Sequence, residues 1–304
     1  MAKKIITGII VLSTLFILVS AIGIFYFSNV IMYPPKMSFE KYRMLHPDQE
    51  THPGKLGLPY RDETISINKP DNKCLGWYLP ASKKSDKLII LVHGRGVNRL
   101  NVLKYAPYLH AAGYNLFLMD FRNCGLSYSA PCSMGFFESQ ELVVAADYLD
   151  KKYKNKSVGI IGFSMGAAVT TLAAPHIKNI KALVLDSPFY SFRSIIEERT
   201  TIEQPYIPIV YVDLVLRFIG ARLSFDTDNV DLGKELRTMH IPLFLIHGKK
   251  DTYISKQHSL RIYKTANGPK QIWLTENGTH VESFSHHEKD YKKKTLDFLA
   301  RYLN

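Results

Sequence analysis

A serine between two glycines directly follows an apolar run in the stretch IIGFSMGAA, residues 160–168. Gly162, Ser164 and Gly166 fit the pattern G-x-S-x-G, in which a sharp turn between a strand and a helix holds the serine hydroxyl at the edge of a sheet. A glycine turn without chemistry has the same composition, so the pattern needs partners elsewhere in the chain. If those partners exist, it predicts that Ser164 is a nucleophile.

A serine hydroxyl is a weak nucleophile near neutral pH, so it needs a histidine as base and a carboxylate that orients the histidine. Asp251 in LIHGKKD and His280 in LTENGTH each follow a predicted strand downstream of the serine. We predict that His280 is the base and Asp251 the orienting acid. Asp186, which ends the apolar segment LVLD, is the alternative acid.

Negative charge on a carbonyl oxygen needs fixed N–H donors. HGRG, residues 93–96, follows a predicted strand, and Arg95 within it is expected to supply one backbone N–H, while Met165 supplies the other. The Arg95 side chain is expected to face solvent, with contact to an anionic substrate as the alternative. Structural roles are expected for a further set of polar residues: His93, Asp120, His247, His286 and His287.

These residues lie at the ends of short apolar segments that alternate with amphipathic ones. Strands are predicted at 63–67, 74–80, 87–94, 114–120, 157–163, 181–186, 241–248 and 271–276, and helices at 100–113, 138–153, 165–176 and 287–303. Nearly all-apolar strands between helices indicate an α/β fold with a mostly parallel, doubly wound sheet. Ligands of such a sheet bind beyond the carboxyl ends of its strands, where these candidates lie.

The chain is predicted to comprise a tail (1–4), a transmembrane anchor (5–27), an irregular linker (28–61) and one domain (62–304). The 23 uncharged residues of the anchor would span about 34 Å as a helix, which exceeds the 30 Å of a bilayer core and favours an uncleaved anchor over a signal peptide. Residues 190–236 interrupt the alternation as a short helical lid. Within them, the apolar segment 206–223 is either a crossover helix, part of the lid or a surface that rests on the membrane.

Lys3 and Lys4 directly precede the span, which favours an N-terminus inside the cell and a translocated domain. Two glycosylation sequons, NGT at 277–279 and NKS at 155–157, are present, and a glycan on the first would obstruct His280. A bacterial inner membrane therefore suits the sequence better than a eukaryotic secretory lumen, although the orientation is open.

The net charge of +12 is spread along the chain without the aromatic motifs of RNA readers, so no nucleic-acid partner is expected. Attraction to anionic lipid headgroups explains the charge more simply. Cys74, Cys124 and Cys132 have no CxxC spacing, so neither a zinc site nor a disulfide framework is predicted. Three free thiols are expected, with a Cys124–Cys132 pair as the alternative.

Taken in order, the segments GWYLP, HGRG, DFRNCGLS, GFSMGAA, DSPF, HGKKD and NGTH resemble the α/β-hydrolase superfamily, above all its membrane-anchored, single-span serine hydrolases. The resemblance covers about residues 62–304. It implies Ser164 as nucleophile, His280 as base, Asp251 as acid and Arg95 and Met165 as oxyanion donors, with no metal or cofactor. The departure from the family is at Asn123 and Cys124, where a glycine and a histidine are more common.

These observations predict a serine hydrolase that cleaves an ester or thioester through an acyl-enzyme. The anchor and the apolar 206–223 segment favour acyl or lipid substrates over sugars. Two alternatives stay open: a serine peptidase of similar fold, and a non-catalytic anchored module that binds a partner. The oligomeric state is not predicted.

Overall fold

The computed structural model describes residues 1–303, which contain one eight-stranded sheet. The strands are β1 (Arg61–Ile67), β2 (Lys69–Leu79), β3 (Lys87–Val92), β4 (Asn115–Met119), β5 (Ser157–Phe163), β6 (Ile180–Asp186), β7 (Leu243–Gly248) and β8 (Lys270–Thr275). Their order across the sheet is β1-β2-β4-β3-β5-β6-β7-β8. β1, β2 and β4 pair antiparallel, and all pairs from β4 to β8 are parallel. The predicted mostly parallel sheet is confirmed.

Helices precede the sheet, connect its strands and close the chain. They are α1 (Ala2–Met32), α2 (Phe39–Leu45), α3 (Arg99–Leu103), α4 (Ala106–Ala111), α5 (Phe136–Tyr153), α6 (Met165–Ala173), α7 (Phe192–Glu203), α8 (Val210–Leu223), α9 (Leu232–Thr238), α10 (Lys256–Thr265), α11 (Ser283–His286) and α12 (Glu288–Tyr302). Short 3₁₀ turns lie at Pro53–Leu56, Ala174–His176 and Thr227–Asn229.

The central strands are buried on both faces because helices cover each side of the sheet. In β3, Leu88 and Ile90 belong to the core beneath α5 and α6, while Ile89 and Leu91 belong to the core beneath α3, α4 and α12. Successive side chains of a strand point to opposite faces, so a nearly all-apolar strand fits only a doubly covered sheet. This packing brings the carboxyl ends of β3 and β5 to β8 to one edge, where the candidate residues lie.

The predicted helix over 100–113 is two helices, α3 and α4, so that prediction was wrong. Pro107 lies in the first turn of α4, where its missing N–H costs nothing, whereas inside a continuous helix it would remove a hydrogen bond. The turn between the predicted strands 63–67 and 74–80 is also shorter than expected. The chain reverses at Asn68, whose φ is 55°, and β2 begins at the next residue.

The segment 28–61, predicted to be irregular, contains the end of α1, the whole of α2 and a 3₁₀ turn. Tyr42 of α2 is only 1% exposed, and its hydroxyl donates to Oε1 of Gln49 at 2.8 Å. It belongs to the same buried cluster as Trp77 of β2. The segment therefore lies on the sheet domain as ordered structure, because its apolar side chains are buried there.

α1 is the one helix among residues 1–303 that is long and apolar enough to cross a membrane, by length and composition. A signal sequence near the N-terminus can have the same length and apolar composition. Its first part is exposed, whereas its C-terminal part packs against α8. The hydroxyls of Ser20 and Tyr211 are 2.7 Å apart, and Nη1 of Arg222 donates to Ser28 Oγ and Asn29 Oδ1, each at 2.8 Å.

The three cysteines are buried free thiols, as expected, and Cys124 and Cys132 are not paired. Burial raises the pKa of all three thiols, that of Cys132 to about 12. Because the thiolate is the reactive form, we expect the folded protein to resist iodoacetamide at pH 8. Without reductant, unfolding in guanidinium should then expose three alkylatable thiols by mass spectrometry. A single alkylated thiol after unfolding would contradict this and indicate a disulfide.

Candidate active site

Ser164 lies at the sharp turn between β5 and α6 in a backbone conformation that residues other than glycine rarely adopt, with φ 54° and ψ −121°. A Cβ on Gly162 would stand 2.5 Å from the carbonyl oxygen of Gly166, and one on Gly166 would stand 2.5 Å from that of His93. The two glycines therefore allow the strand, the turn and the neighbouring loop to approach closely. Such strain, with close glycines, is typical of a turn that presents a nucleophile.

We expect Gly166→Ala to destabilise this turn, because the three atoms nearest to the added methyl group are backbone atoms of Val92 and His93, which cannot move away cheaply. The overpacking should cost about 1–3 kcal/mol of unfolding free energy. Thermal unfolding of the full-length protein in detergent would measure the loss. Gly8→Ala is the matched control, since a Cβ at Gly8 meets nothing within 4 Å. Equal melting temperatures for both variants would contradict the close packing.

The loops after β7 and β8 bring a carboxylate and an imidazole to Ser164. Nε2 of His280 is 2.9 Å from Ser164 Oγ, and Nδ1 of His280 is 2.8 Å from Asp251 Oδ2. Asp251 follows β7 and its side chain is fully buried, whereas His280 follows β8 and is 24% exposed. The structure thus brings the three predicted residues into one hydrogen-bonded chain.

The ionisation of Asp251 determines which imidazole nitrogen of His280 carries a proton. Burial opposes the charge, but hydrogen bonds with His247, His280 and the N–H of Ile254 outweigh it and hold the pKa of Asp251 below its usual range. An ionised carboxylate only accepts, so Nδ1 of His280 must donate to it. Nε2 is then free to accept the proton of Ser164 Oγ.

Backbone strain also marks the loop that carries His280. Val281 has φ 59°, which is unusual for a β-branched residue. Its N–H donates to Ser187 Oγ at 3.2 Å, and Ser187, the residue after β6, has φ 53°. The ring of Tyr253 packs 5.0 Å from the His280 ring. These contacts restrict how the imidazole can turn.

A cavity of about 430 Å³ opens in front of Ser164. Gly94 and Arg95 line it, and a Cβ on Gly94 would lie 3.3 Å from Ser164 Cβ, so the backbone of this loop passes directly beside the serine. Met165 is the first residue of α6, and the first N–H groups of a helix have no acceptor within it. Both backbone segments therefore lie beside Ser164 at the cavity.

Two comparisons with known proteins show the family of this chain. The family model for the alpha/beta hydrolase fold matches residues 87–207, from the start of β3 to the segment that follows α7. The protein YqkD of Bacillus subtilis, named as uncharacterized, is 30% identical over 230 residues, which are 73% of this chain and 74% of that protein. The chain belongs to the α/β-hydrolase superfamily.

Other relatives of this hydrolase are more distant. The human protein ABHD12B is 22% identical over 197 residues, 62% of this chain and 52% of that protein. Among solved structures, the Pyrococcus furiosus esterase Pf2001 is 25% identical and superposes with a TM-score of 0.70, covering 89% of this chain and 100% of that one. The predicted fold and superfamily are confirmed.

Asp186, the alternative acid, is not part of this hydrogen-bonded chain. Its carboxylate accepts from Ser187 Oγ and from the Tyr291 hydroxyl, each at 3.0 Å, and its carbonyl oxygen accepts from the N–H of Ser164. Burial raises the pKa of Asp186, which disfavours its charged form. In this hydrolase Asp186 therefore holds the turn around Ser164.

The remaining polar residues of the hydrolase brace loops. Asp120 accepts from the N–H groups of Arg99 and Leu126 at 2.8 and 3.1 Å, so it secures the loop after β4 as expected. His93 is buried, and its Nε2 accepts from the N–H of Phe121. His247 binds Ser259 and Ile254, and His286 and His287 lie at the junction of α11 and α12. No cluster of three metal-binding side chains occurs among residues 1–303.

The Arg95 side chain does not extend freely into solvent as expected, because it is half-buried and bound to the end of α1. Its Nη2 donates to the carbonyl oxygens of Val30 and Ile31 at 2.7 and 2.9 Å. The last carbonyl groups of a helix lack intrahelical partners and carry partial negative charge, which a guanidinium satisfies. The loop beside Ser164 is therefore tied to the C-terminal end of α1.

The chain that leaves α1 is tied to the same edge of the hydrolase by further hydrogen bonds. The N–H of Cys132 donates to the Met32 carbonyl oxygen at 2.7 Å, and the Asn123 side chain donates to that of Pro34 at 3.1 Å. Asn123 is one of the two residues at which the sequence departs from the superfamily pattern. Here its amide binds the segment after α1.

Sequence reasoning missed Arg199 of α7. Its Nη1 donates to the carbonyl oxygens of Thr252 and Tyr253, each at 3.0 Å, and its guanidinium lies 4.6 Å from the centre of the Tyr253 ring. Tyr253 in turn packs on His280. An arginine on an otherwise ordinary amphipathic helix carries no signal of this contact, because it depends on where α7 lies.

Proposed function

We propose that the protein is a serine hydrolase that cleaves a carboxylic ester or thioester through an acyl-enzyme on Ser164. The observation that carries the proposal is the hydrogen-bonded chain from Ser164 Oγ through His280 to Asp251, with distances of 2.9 and 2.8 Å. The similarity to the esterase Pf2001, at 25% identity, supports the choice of esters.

In the first half of the reaction, Nε2 of His280 takes the proton of Ser164 Oγ as the oxygen attacks the carbonyl carbon. The backbone N–H groups of Arg95 and Met165 donate to the oxyanion that forms. The imidazolium, stabilised by Asp251, gives its proton to the departing alcohol or thiol. In the second half, water attacks the acyl-enzyme with His280 again as base, and the acid product leaves.

The test of this function is active-site labelling with a fluorophosphonate, which reacts with activated serines. We expect one adduct, on Ser164, in the native full-length protein, and none after heat denaturation or in Ser164→Ala. Absence of an adduct under conditions in which a related esterase reacts would favour the non-catalytic binding module. Comparing an ester and a p-nitroanilide of the same acyl group tests the peptidase alternative, since a peptidase should cleave both.

The proposal also includes an anchor and an acyl or lipid substrate. α1 has the length and composition of a membrane span, and its basic residues Lys3 and Lys4 favour a translocated hydrolase domain in a bacterial inner membrane. Protease treatment of sealed inverted vesicles tests this topology. Protection of the domain supports translocation, and its digestion places the domain on the cytoplasmic side.

A further inference from the structure

An apolar groove of about 420 Å³ lies between α1 and the lid helices α7 and α8, separate from the cavity at Ser164. From α1 its lining includes Phe16, Val19, Gly23, Ile24 and Phe27. From the lid, Ile196, Ile207, Val212 and Val215 complete the apolar surface. Volumes of 300–1,000 Å³ are typical of small-molecule sites.

The groove lies at the depth of a bilayer if α1 spans one. A span needs about 20 residues to cross a hydrocarbon core of roughly 30 Å, which places residues 5–24 in the core and the groove at the end nearest the domain. The lid beside the groove exposes large apolar side chains, including Tyr206, which is 95% exposed, Ile209 and Val210. Exposed apolar surface at this depth would contact acyl chains instead of water.

Polar side chains occur along one side of the groove, on α7, the helix that also lines the catalytic cavity. Thr200, Glu203 and Gln204 line this side together with Arg199, whose guanidinium binds the backbone at Tyr253 beside His280. On α7, Ile196 lines the groove while the preceding residue, Ile195, lines the cavity at Ser164. The groove and the cavity at Ser164 are therefore separated by α7 and by the contact of Arg95 with α1.

We propose that this groove binds one acyl chain of a bilayer lipid and so brings a lipid-borne ester to the hydrolase. That the bound lipid is a substrate rests on the proposed function. The occupant is inferred from the apolar lining, from the membrane-length helix that forms one wall and from the polar side toward the catalytic cavity, where a headgroup and ester can be solvated. A second copy of the chain or a partner helix is an outcome that the test must distinguish.

Gly23 is the residue at which the groove can be blocked. A Cβ on Gly23 meets no atom within 4 Å, so Gly23→Phe places a ring in the groove without a clash at the backbone. Gly8→Phe is the matched control, because Gly8 lies on the same helix, has equally open space and does not line the groove.

The first experiment uses the full-length Ser164→Ala protein in phosphatidylcholine vesicles that contain a phospholipid with a diazirine on one acyl chain. After irradiation we expect adducts on peptides of α7 and α8 that line the groove. Adding Gly23→Phe should reduce these adducts about tenfold, the scale on which an apolar pocket discriminates by size, and adding Gly8→Phe should not. Labelling confined to residues 5–15, or unchanged by Gly23→Phe, would overturn the proposal. A changed oligomeric state with unchanged labelling would show that the groove is a helix interface.

The second experiment measures hydrolysis of p-nitrophenyl palmitate and butyrate by proteins with Ser164 intact. We expect Gly23→Phe to lower the palmitate-to-butyrate ratio of kcat/KM about tenfold, and Gly8→Phe to leave both rates unchanged. An unchanged ratio would contradict a role of the groove in substrate binding. If the wild type hydrolyses neither ester and takes no fluorophosphonate, the proposed function fails, while the lipid labelling still decides whether the groove binds an acyl chain.

Discussion

Ser164→Ala is expected to lower kcat for p-nitrophenyl butyrate by about a million-fold, the loss seen when the serine of such a triad is removed. Without Oγ no acyl-enzyme forms, and the residual rate reflects only binding and the oxyanion donors. Steady-state hydrolysis by the full-length protein in detergent measures the effect. Alanine differs from serine only by the loss of Oγ, so the melting temperatures of the wild type and of Ser164→Ala should be similar.

Ser82→Ala is the matched control for this change, since Ser82 is an exposed serine after β2, remote from the carboxyl ends of the parallel strands. It should retain wild-type activity. A Ser164→Ala protein that keeps more than about a hundredth of the wild-type rate would show that another nucleophile acts, because the loss would fall far short of that of a triad serine.

Asp251→Asn is expected to lower kcat about 10,000-fold with the fold intact. The asparagine amide is nearly isosteric with the carboxylate, but it can present N–H where His280 Nδ1 now donates at 2.8 Å. The histidine would then carry its proton on Nε2, the nitrogen that must accept from Ser164. Hydrolysis of p-nitrophenyl butyrate and labelling by the fluorophosphonate should fall together, since both depend on an activated serine.

Two aspartates serve as comparisons for Asp251. Asp71→Asn, at an exposed site in β2, should be neutral. Asp186→Asn tests the alternative acid, and its effect on kcat should be far smaller because Asp186 bonds to Ser187 and Tyr291 instead of His280. If Asp186→Asn keeps a native circular dichroism spectrum and loses as much activity as Asp251→Asn, the assignment of the orienting acid is wrong.

Much of the fold followed from local pattern. The apolar segments predicted to be strands correspond to β1 to β8, and their near lack of polar residues indicated a sheet covered on both faces. The split of 100–113 into two helices carried a local signal too, Pro107, but the apolar spacing outweighed it in the prediction. Proline is tolerated in the first turn of a helix, where its missing N–H has no acceptor, and it disrupts the helix interior. Its effect on the prediction therefore depends on where the helix begins.

The environments of individual side chains were less accessible. Arg95 was expected in solvent, yet it binds the last carbonyl groups of α1, 64 and 65 positions earlier in the chain. The segment 206–223, for which a lid and a membrane surface were both open, contains α8, which packs against α1. Neither contact has a local sequence signal, because each joins segments whose proximity depends on how the domain folds.

By itself, the sequence determined the elements, their mostly parallel sheet and the superfamily, and it named Ser164, Asp251 and His280 as the residues to examine. Hydrophobic period, turn composition and motif order suffice for this because they act over a few residues. Only the tertiary structure decided that these three side chains lie within hydrogen-bonding distance, that Asp186 braces the turn and that α1 contacts both α8 and the Ser164 loop. Such contacts follow from packing of distant segments, and packing is set by the whole core.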